Sequence, residues 1–358
     1  MRQNFFESLG FADVERIHSQ MLAWLFESEI LDATQKSQIL EWLVGRADDY
    51  EVIDVITEHK HVDILIETAS STIAIENKIK ITQHDDQLVS YKRAIEQDTK
   101  PPHRFVYLSL VPENISASDW TTRTYTGLRE VLEPHRFKAP SNFGEYAFNE
   151  YVEAVGHLTK IVREFDKDHT KFPNVFEDGS LTKREKLEKS RREPEYTDLQ
   201  NAVRTNQLET PLQRYFLEKI RRRILLKTTD YRIEESHGVA NINIVIDKRS
   251  IGGSEFDLAV QFQGKTSKLN CYAHDYKNSK RDQLPAEVLA HFTDLAKKHK
   301  LRVNPGQTKA YISLSKALDF DWSDLFETIV KSYQTAYNDL SEIGKSIAFS
   351  RGGEMIAR

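Results

Sequence analysis

From Phe11 onward the apolar residues Phe11, Val14, Ile17, Met21, Leu22, Leu25 and Phe26 return every three or four positions, the spacing that lines one face of an α-helix. A second helix is expected over "ATQKSQILEWLVGRA". The period then changes. "YEVIDVITE", "HVDILIE" and "STIAIENKI" are rich in β-branched residues and read as three successive strands. Thr82 and Asp85 have capping-box spacing ahead of a helix over "QHDDQLVSYKRAIEQ", whose buried stripe carries Leu88, Tyr91 and Ile95. "HRFVYLSLV" is almost wholly apolar and is expected in the middle of a sheet. A short strand near "TRTY", a helix at "TGLREVLE" and a long helix around Asn142 to Val162 complete an α/β unit.

Beyond Phe165 the chain turns polar and charge-dense up to Asn201, which places a charged linker or exposed excursion at residues 166–201 between domains at 1–165 and 202–358. The second domain reads as α+β. It has a helix near Leu212 to Leu226, paired strands at "ANINIVID" and "SEFDLAVQFQ", and more strand near "KLNCYAHD". A helix at "LPAEVLAHFTDLAKKHK", a strand at "KAYISLS" and a final long helix follow. No internal repeat is present.

The 358 residues suit two domains with substantial cores. A composition of 39% hydrophobic and 29% charged residues excludes a disordered or membrane-embedded chain. The formal net charge of -5 argues against a protein that coats nucleic acid, while leaving room for a local basic groove. One cysteine, Cys271, precludes an intrachain disulfide or a cysteine-rich zinc site and fits a reducing cytoplasm. The start lacks the pattern of a secretory leader, and no window approaches the length of an apolar membrane span.

Candidate chemistry concentrates in "TIAIENKIKI". Alternation along a strand directs Ile73, Ile75, Asn77 and Ile79 to one face and Ala74, Glu76 and Lys78 to the other. With "TASS" as a hairpin loop, Glu67 faces Thr72, Leu65 faces Ala74 and Asp63 faces Glu76. Opposed carboxylates repel unless a positive charge lies between them. Hard oxygen donors without histidine or thiolate favour magnesium, with manganese as a substitute. Lys78 beside such an ion could orient water or stabilise charge on a phosphate. The alternative is a partly exposed Glu76–Lys78 pair on an edge strand.

Asp63, the "IENK" strand, and Gln87 and Tyr91 in "QLVSY" together resemble the PD-(D/E)XK nuclease superfamily, in its branch with a Q-x-x-x-Y signature. The layout also resembles one bacterial family of that superfamily in its "ERIHSQMLAWL" helix, its "VYLSL" strand and the stretch "WTTRTYTGLREVL". The resemblance spans roughly residues 11–165. It implies a restriction-endonuclease-like core with a mixed central sheet flanked by helices. It further implies a nuclease acting on nucleic acid, with DNA as the expected polymer. Asp63, Glu76 and the backbone carbonyl of Asn77 would be metal ligands, Lys78 the catalytic lysine, and Glu15 an outer metal or water ligand. Gln87 and Tyr91, four residues apart on one helix face, would stand near the site; Tyr91 also suits packing. The motif's proline is absent, Val62 standing before Asp63.

Families of this kind imply defence against foreign DNA, which makes a second copy of the chain or a defence-system protein an expected partner. A catalytically silent nuclease-fold sensor and an RNA-directed hydrolase are the rival readings. "GKS" at Gly344 lacks the spacing of a phosphate loop, and the "HD" pairs at His84 and His274 lack companion histidines. "RYFLEKIRRRILLK" could touch a phosphate backbone or be a solvated helix face, and "DFDWSD" reads as a helix start.

Overall fold

The computed structural model describes residues 4–80, 85–113, 115, 117–176, 197–236, 239–251 and 254–347. The expected Thr82–Asp85 capping box, His84 and most of the charged stretch, residues 177–196, lie outside the described residues. The chain divides into two compact units. One gathers the described residues up to Val175 with those from 197 to Tyr215; the other takes Phe176 and those from Phe216 onward.

The first unit opens with a short helix α1 (Phe5–Ser8), then α2 (Glu15–Glu27) and α3 (Ala33–Val44). Asp32 caps α3 by accepting from the Gln35 amide at 2.8 Å while Gln35 reaches back to the Asp32 amide. Gly45 ends the helix with φ of 77°, where a side chain would be strained and a Cβ would also meet the Arg123 guanidinium.

Five strands follow in spatial order β1 (Val52–His59), β2 (Val62–Thr68), β3 (Thr72–Lys78), β4 (His103–Ser109) and β5 (Trp120–Thr124). The pairs β1–β2 and β2–β3 are antiparallel, while β3–β4 and β4–β5 are parallel. The sheet is therefore mixed. Its antiparallel half is a meander with tight turns. Its parallel half needs a crossover, supplied by α4 (Asp85–Asp98) between β3 and β4.

Both faces are covered. Helices α2 and α3 pack on one, beneath α5 (Tyr125–Leu132) and α6 (Phe143–Lys167). On the other, Leu88 and Ile95 of α4 join Leu65, Ala74, Phe105, Tyr107 and Trp120 in one apolar cluster. This double cover explains why Thr72 to Asn77 are all buried and why β3 and β4 read as apolar runs.

Residues 202–215, grouped with the second domain on sequence, fold onto the first unit through α7 (Asp198–Thr205) and the start of α8 (Glu209–Arg223). Gln213 donates to the Val175 carbonyl at 2.5 Å, and Tyr215 donates to Asp166 at 2.7 Å. Phe172, Val175, Val203, Leu208 and Leu212 are buried there. They are scattered through polar, charge-dense sequence, so no periodic stripe announced the packing.

The second unit is built on a six-stranded antiparallel sheet in the order β10–β11–β9–β8–β7–β6. The strands are β6 (Tyr231–Ser236), β7 (Val239–Ile251), β8 (Ser254–Gln263), β9 (Thr266–Ala273), β10 (Arg302–Pro305) and β11 (Tyr311–Ala317). Helix α9 (Ala286–His299) packs on β10 and β11, and α10 (Phe326–Lys345) packs on β8 and β9. Gly344 lies in α10 where a Cβ would collide with Ile246, so "GKS" belongs to helix packing. The basic run is drawn into ion pairs: Arg221 and Arg222 both meet Glu218, and Arg223 meets Glu327. No helix of the described residues is long and apolar enough to cross a membrane.

Candidate active site

The β2–β3 hairpin has the register counted from its loop: Glu67 pairs with Thr72, Leu65 with Ala74 and Ile64 with Ile75. Beyond that pair the ladder ends. Asp63 there turns its carboxylate to the backbone amide of Asn77, which donates to Oδ2 at 2.7 Å. One residue earlier on β3, Glu76 is 2% exposed and holds the Lys78 ammonium at 2.8 Å through Oε1. Its other oxygen, Oε2, is buried with no hydrogen-bond partner.

The electrostatics follow from that geometry. Burial, followed by the neighbouring Asp63 charge, pushes the Glu76 carboxyl up to about 7 against the attraction of Lys78. Burial likewise raises Asp63, although the Asn77 amide and Lys78 oppose the shift. Burial alone would lower Lys78, but Glu76, Asp63 and Glu15 together outweigh it and hold the ammonium above its ordinary range. Lys78 is therefore a fixed cation.

Glu15, the first residue of α2, accepts from the amides of Ile79 and Lys80 at 3.0 and 2.9 Å through Oε1. Its Oε2 lies 3.9 Å from Lys78. The carboxylate thus pins the chain just past β3 while facing the lysine. Asn77 completes the anchor from the opposite face of the strand. Its Nδ2 donates to the Glu15 carbonyl and to Ser19 Oγ, both at 3.1 Å, and its Oδ1 accepts from the Tyr125 hydroxyl at 2.7 Å. The sequence reading assigned Asn77 only a main-chain role. The available signal was an amide on the same strand face as Ile73 and Ile75, where burial demands partners.

Two further contacts around the site, Tyr107 with Glu113 and Lys80 with Asp13 and Gln207, were missed. Tyr107 pairs with Glu76 in the β3–β4 ladder, and its hydroxyl donates to Glu113 Oε2 at 2.6 Å. Burial pushes Glu113 up to about 7, with the charges of Glu15 and Lys78 also acting on it. Nothing in the pattern of "HRFVYLSLV" singles out a glutamate two residues past its end. Lys80 bonds Asp13 and, at 2.8 Å, Gln207. A residue far beyond the nuclease-like motifs thereby supports the turn after β3.

The structure brings Asp63, Glu76, Lys78, Glu15 and Asn77 together. It does not tie Gln87 and Tyr91 to them by any hydrogen bond. Gln87 is exposed on α4, while Tyr91 is half-buried against the apolar cluster with its ring stacked 6.1 Å from that of His61.

Among the described residues no group of three or more histidine, cysteine, aspartate or glutamate side chains is gathered as a metal cage. The site still fits a hard divalent cation. It offers two carboxylates whose charges act on each other, one with a buried bare oxygen, and magnesium takes only one or two protein carboxylates while keeping water and phosphate oxygens.

Comparison with known proteins agrees with this geometry. Residues 3–153, less than half of the chain, match the family model of the PD-(D/E)XK nuclease superfamily. No curated protein and no solved structure matches the chain. Over residues 3–153 the chain is similar to the PD-(D/E)XK nuclease superfamily, a group of nuclease-type phosphodiester hydrolases.

Proposed function

We propose that the first unit is an active, metal-dependent nuclease that cleaves DNA. The observation that carries this reading is Glu76, buried beside Asp63 with one oxygen bare and Lys78 fixed at 2.8 Å. A purely structural carboxylate in such a place would be fully hydrogen-bonded or replaced.

Asp63, Glu76 and the Asn77 carbonyl would hold magnesium, or manganese in its stead. When bound, such an ion polarises a phosphoryl oxygen and acidifies water. Lys78, kept protonated by its acidic neighbours, directs positive charge to where phosphate charge develops and orients the attacking water as a donor. It does not serve as a base. Glu15 holds the end of β3 through two amides and so sets the position of Lys78. Asn77 locks the same strand end to α2 and to Tyr125 of α5. Gln87 and Tyr91 on α4 are assigned to contact the substrate, a role that requires the polymer to reach the exposed Gln87.

The second unit is assigned to recognition of substrate, partner protein or trigger, in a cytoplasmic enzyme that acts against foreign DNA. The test is cleavage of single- and double-stranded DNA and of RNA by the full chain, with magnesium, manganese or a chelator. Wild type should cut DNA only with metal, and Lys78→Ala and Asp63→Asn should not cut. Failure of wild type on every polymer would favour the silent sensor, and faster cutting of RNA would make it an RNA-directed hydrolase.

A further inference from the structure

Away from the carboxylates, the first unit has a concave pocket of about 410 Å3 where the end of α5 faces the second half of α6. Arg129 and Arg136 line it from one side, and His157, Lys160 and Arg163 from the other. Such a concentration of cations in a concavity recruits anions, because the low-dielectric walls focus the field. The pocket is also shaped for its cations. Position 156 is glycine, and a Cβ there would stand 2.9 Å from Arg129 Nε. The bare helix surface is what lets the guanidinium lie flat against α6. Arg129 Nε is buried there with no hydrogen-bond partner. The 2.8 Å contact with Glu7 is the chief cause that raises the His157 imidazole above its ordinary range, against the effects of burial and of Lys160.

Two carboxylates complete the lining, Glu133 and Glu153. Glu133 lies 3.5 Å from Arg129 and 3.2 Å from Arg136, so it holds the two guanidinium groups together. Glu153 lies 3.8 Å from His157. A duplex backbone, which offers only acceptors at its phosphates, would be repelled by both glutamates. A small molecule that carries phosphate at one end and hydroxyl or amino donors at the other would satisfy both sets. The volume lies within the range of small-ligand sites, roughly 300 to 1,000 Å3.

We infer that this pocket is a second site of the chain, which binds a nucleoside phosphate, its phosphate on Arg129, Lys160 and Arg163 and its sugar or base donors on Glu133 and Glu153. The site is independent of the nuclease reading and stands whether or not the carboxylate centre cleaves DNA. Arg129 supplies a planar fork that is already in position, and the exposed Lys160 and Arg163 close on the anion from α6.

The test is calorimetric titration of the full chain with AMP, and separately with pyrophosphate, in chelator so that no hydrolysis intervenes. Saturable binding of one AMP per chain is expected. Gly156→Ala, which removes the space for the guanidinium while favouring the helix, should weaken it at least tenfold, as should the surface pair Lys160→Gln with Arg163→Gln. Lys78→Ala should leave it unchanged, which separates this pocket from the carboxylate centre. Thermal melting of each variant confirms the fold. Absence of saturable AMP binding by wild type, equal binding by the pocket variants, or loss in Lys78→Ala overturns the inference. Pyrophosphate binding without AMP binding overturns the nucleoside assignment. So does a duplex oligonucleotide that binds, and is lost in Gly156→Ala, while AMP does not bind.

Discussion

The two sheets of this protein both bury polar side chains, and they treat them differently. In the six-stranded sheet the buried Asn270 accepts from the Tyr311 hydroxyl at 3.1 Å, Asn241 accepts from Gln261 at 3.2 Å, and the carboxylate of Asp257 meets His274 at 3.0 Å. Each of these three groups has a partner from a neighbouring strand or from the chain just past one, and the buried carbonyl left unpaired in that sheet, Asn243 Oδ1, belongs to an uncharged amide whose nitrogen donates to Tyr272. In the five-stranded sheet Glu76 is more deeply buried than Asp257, feels the charge of Asp63 and leaves one oxygen bare. The second sheet pairs the buried carboxylate of Asp257 with His274. In the first, Glu76 keeps a bare oxygen despite its ion pair with Lys78, a desolvation cost that a proton or a bound cation would offset.

The sharpest way to break this comparison is at Lys78 and Asp63. Lys78→Ala and Asp63→Asn should reduce metal-dependent cleavage by about 100- to 1,000-fold or more, with melting temperatures within a few degrees of wild type. A collapse in melting would mean that the first sheet uses these residues as the second uses Asp257, for structure alone.

Next in size is the contrast between two buried asparagines. Asn77→Ala removes three side-chain hydrogen bonds and strands the Tyr125 hydroxyl, and should cost about 2–4 kcal/mol in denaturant unfolding. Asn270→Ala strands only the Tyr311 hydroxyl and should cost about 1–2 kcal/mol. Equal losses would remove the distinction between an anchor and an ordinary pair.

Proton linkage sharpens the comparison further. The Glu76 carboxyl, at about 7 in the folded chain against 4.5 ordinarily, is raised, so proton binding favours the folded state. That stabilisation is complete below about pH 4.5 and is lost as pH rises through 7. Metal-free wild type should therefore lose on the order of 2–3 kcal/mol from this group between pH 5 and pH 8, and Glu76→Gln should flatten that limb. Magnesium should raise the melting temperature of wild type at pH 8 and have little effect at pH 5. A magnesium shift of equal size at both values would dissociate the carboxylate from the metal.

The smallest effect expected is that of Tyr311→Phe in the second sheet. Loss of its bond to Asn270 should cost about 1 kcal/mol and leave cleavage by the first unit unchanged. A cleavage defect would show that the second unit contributes more than recognition.

Much of the fold was legible in local spacing. The three- and four-residue periods marked α2, α3 and α6, and counting back from "TASS" gives the β2–β3 register that the hairpin adopts from Glu67–Thr72 to Ile64–Ile75. The short edge strand β10 and the polar, alternating β6 were not legible, because neither carries an apolar signature of its own. Within the site, charges on one face of β3 were visible as an anomaly in an isoleucine run. The partners of Asn77 could not be found this way, since Ser19 and Tyr125 are distant in sequence and marked by nothing but ordinary composition. Glu113 and Gln207 were invisible for the same reason.

By itself, then, the sequence determined which residues alternate across β3, which carboxylates share its hairpin and how the apolar faces divide, because these depend on periods of two and 3.6 residues that any local window contains. Tertiary structure alone decided that Glu76 keeps an oxygen bare, that Asn77 is locked by α2 and α5, and that residues 197–215 return to the first unit. These outcomes depend on burial and on contacts between residues remote in the chain. Desolvation, which shifts a carboxylate or demands a partner for an amide, arises only when the layers close over it.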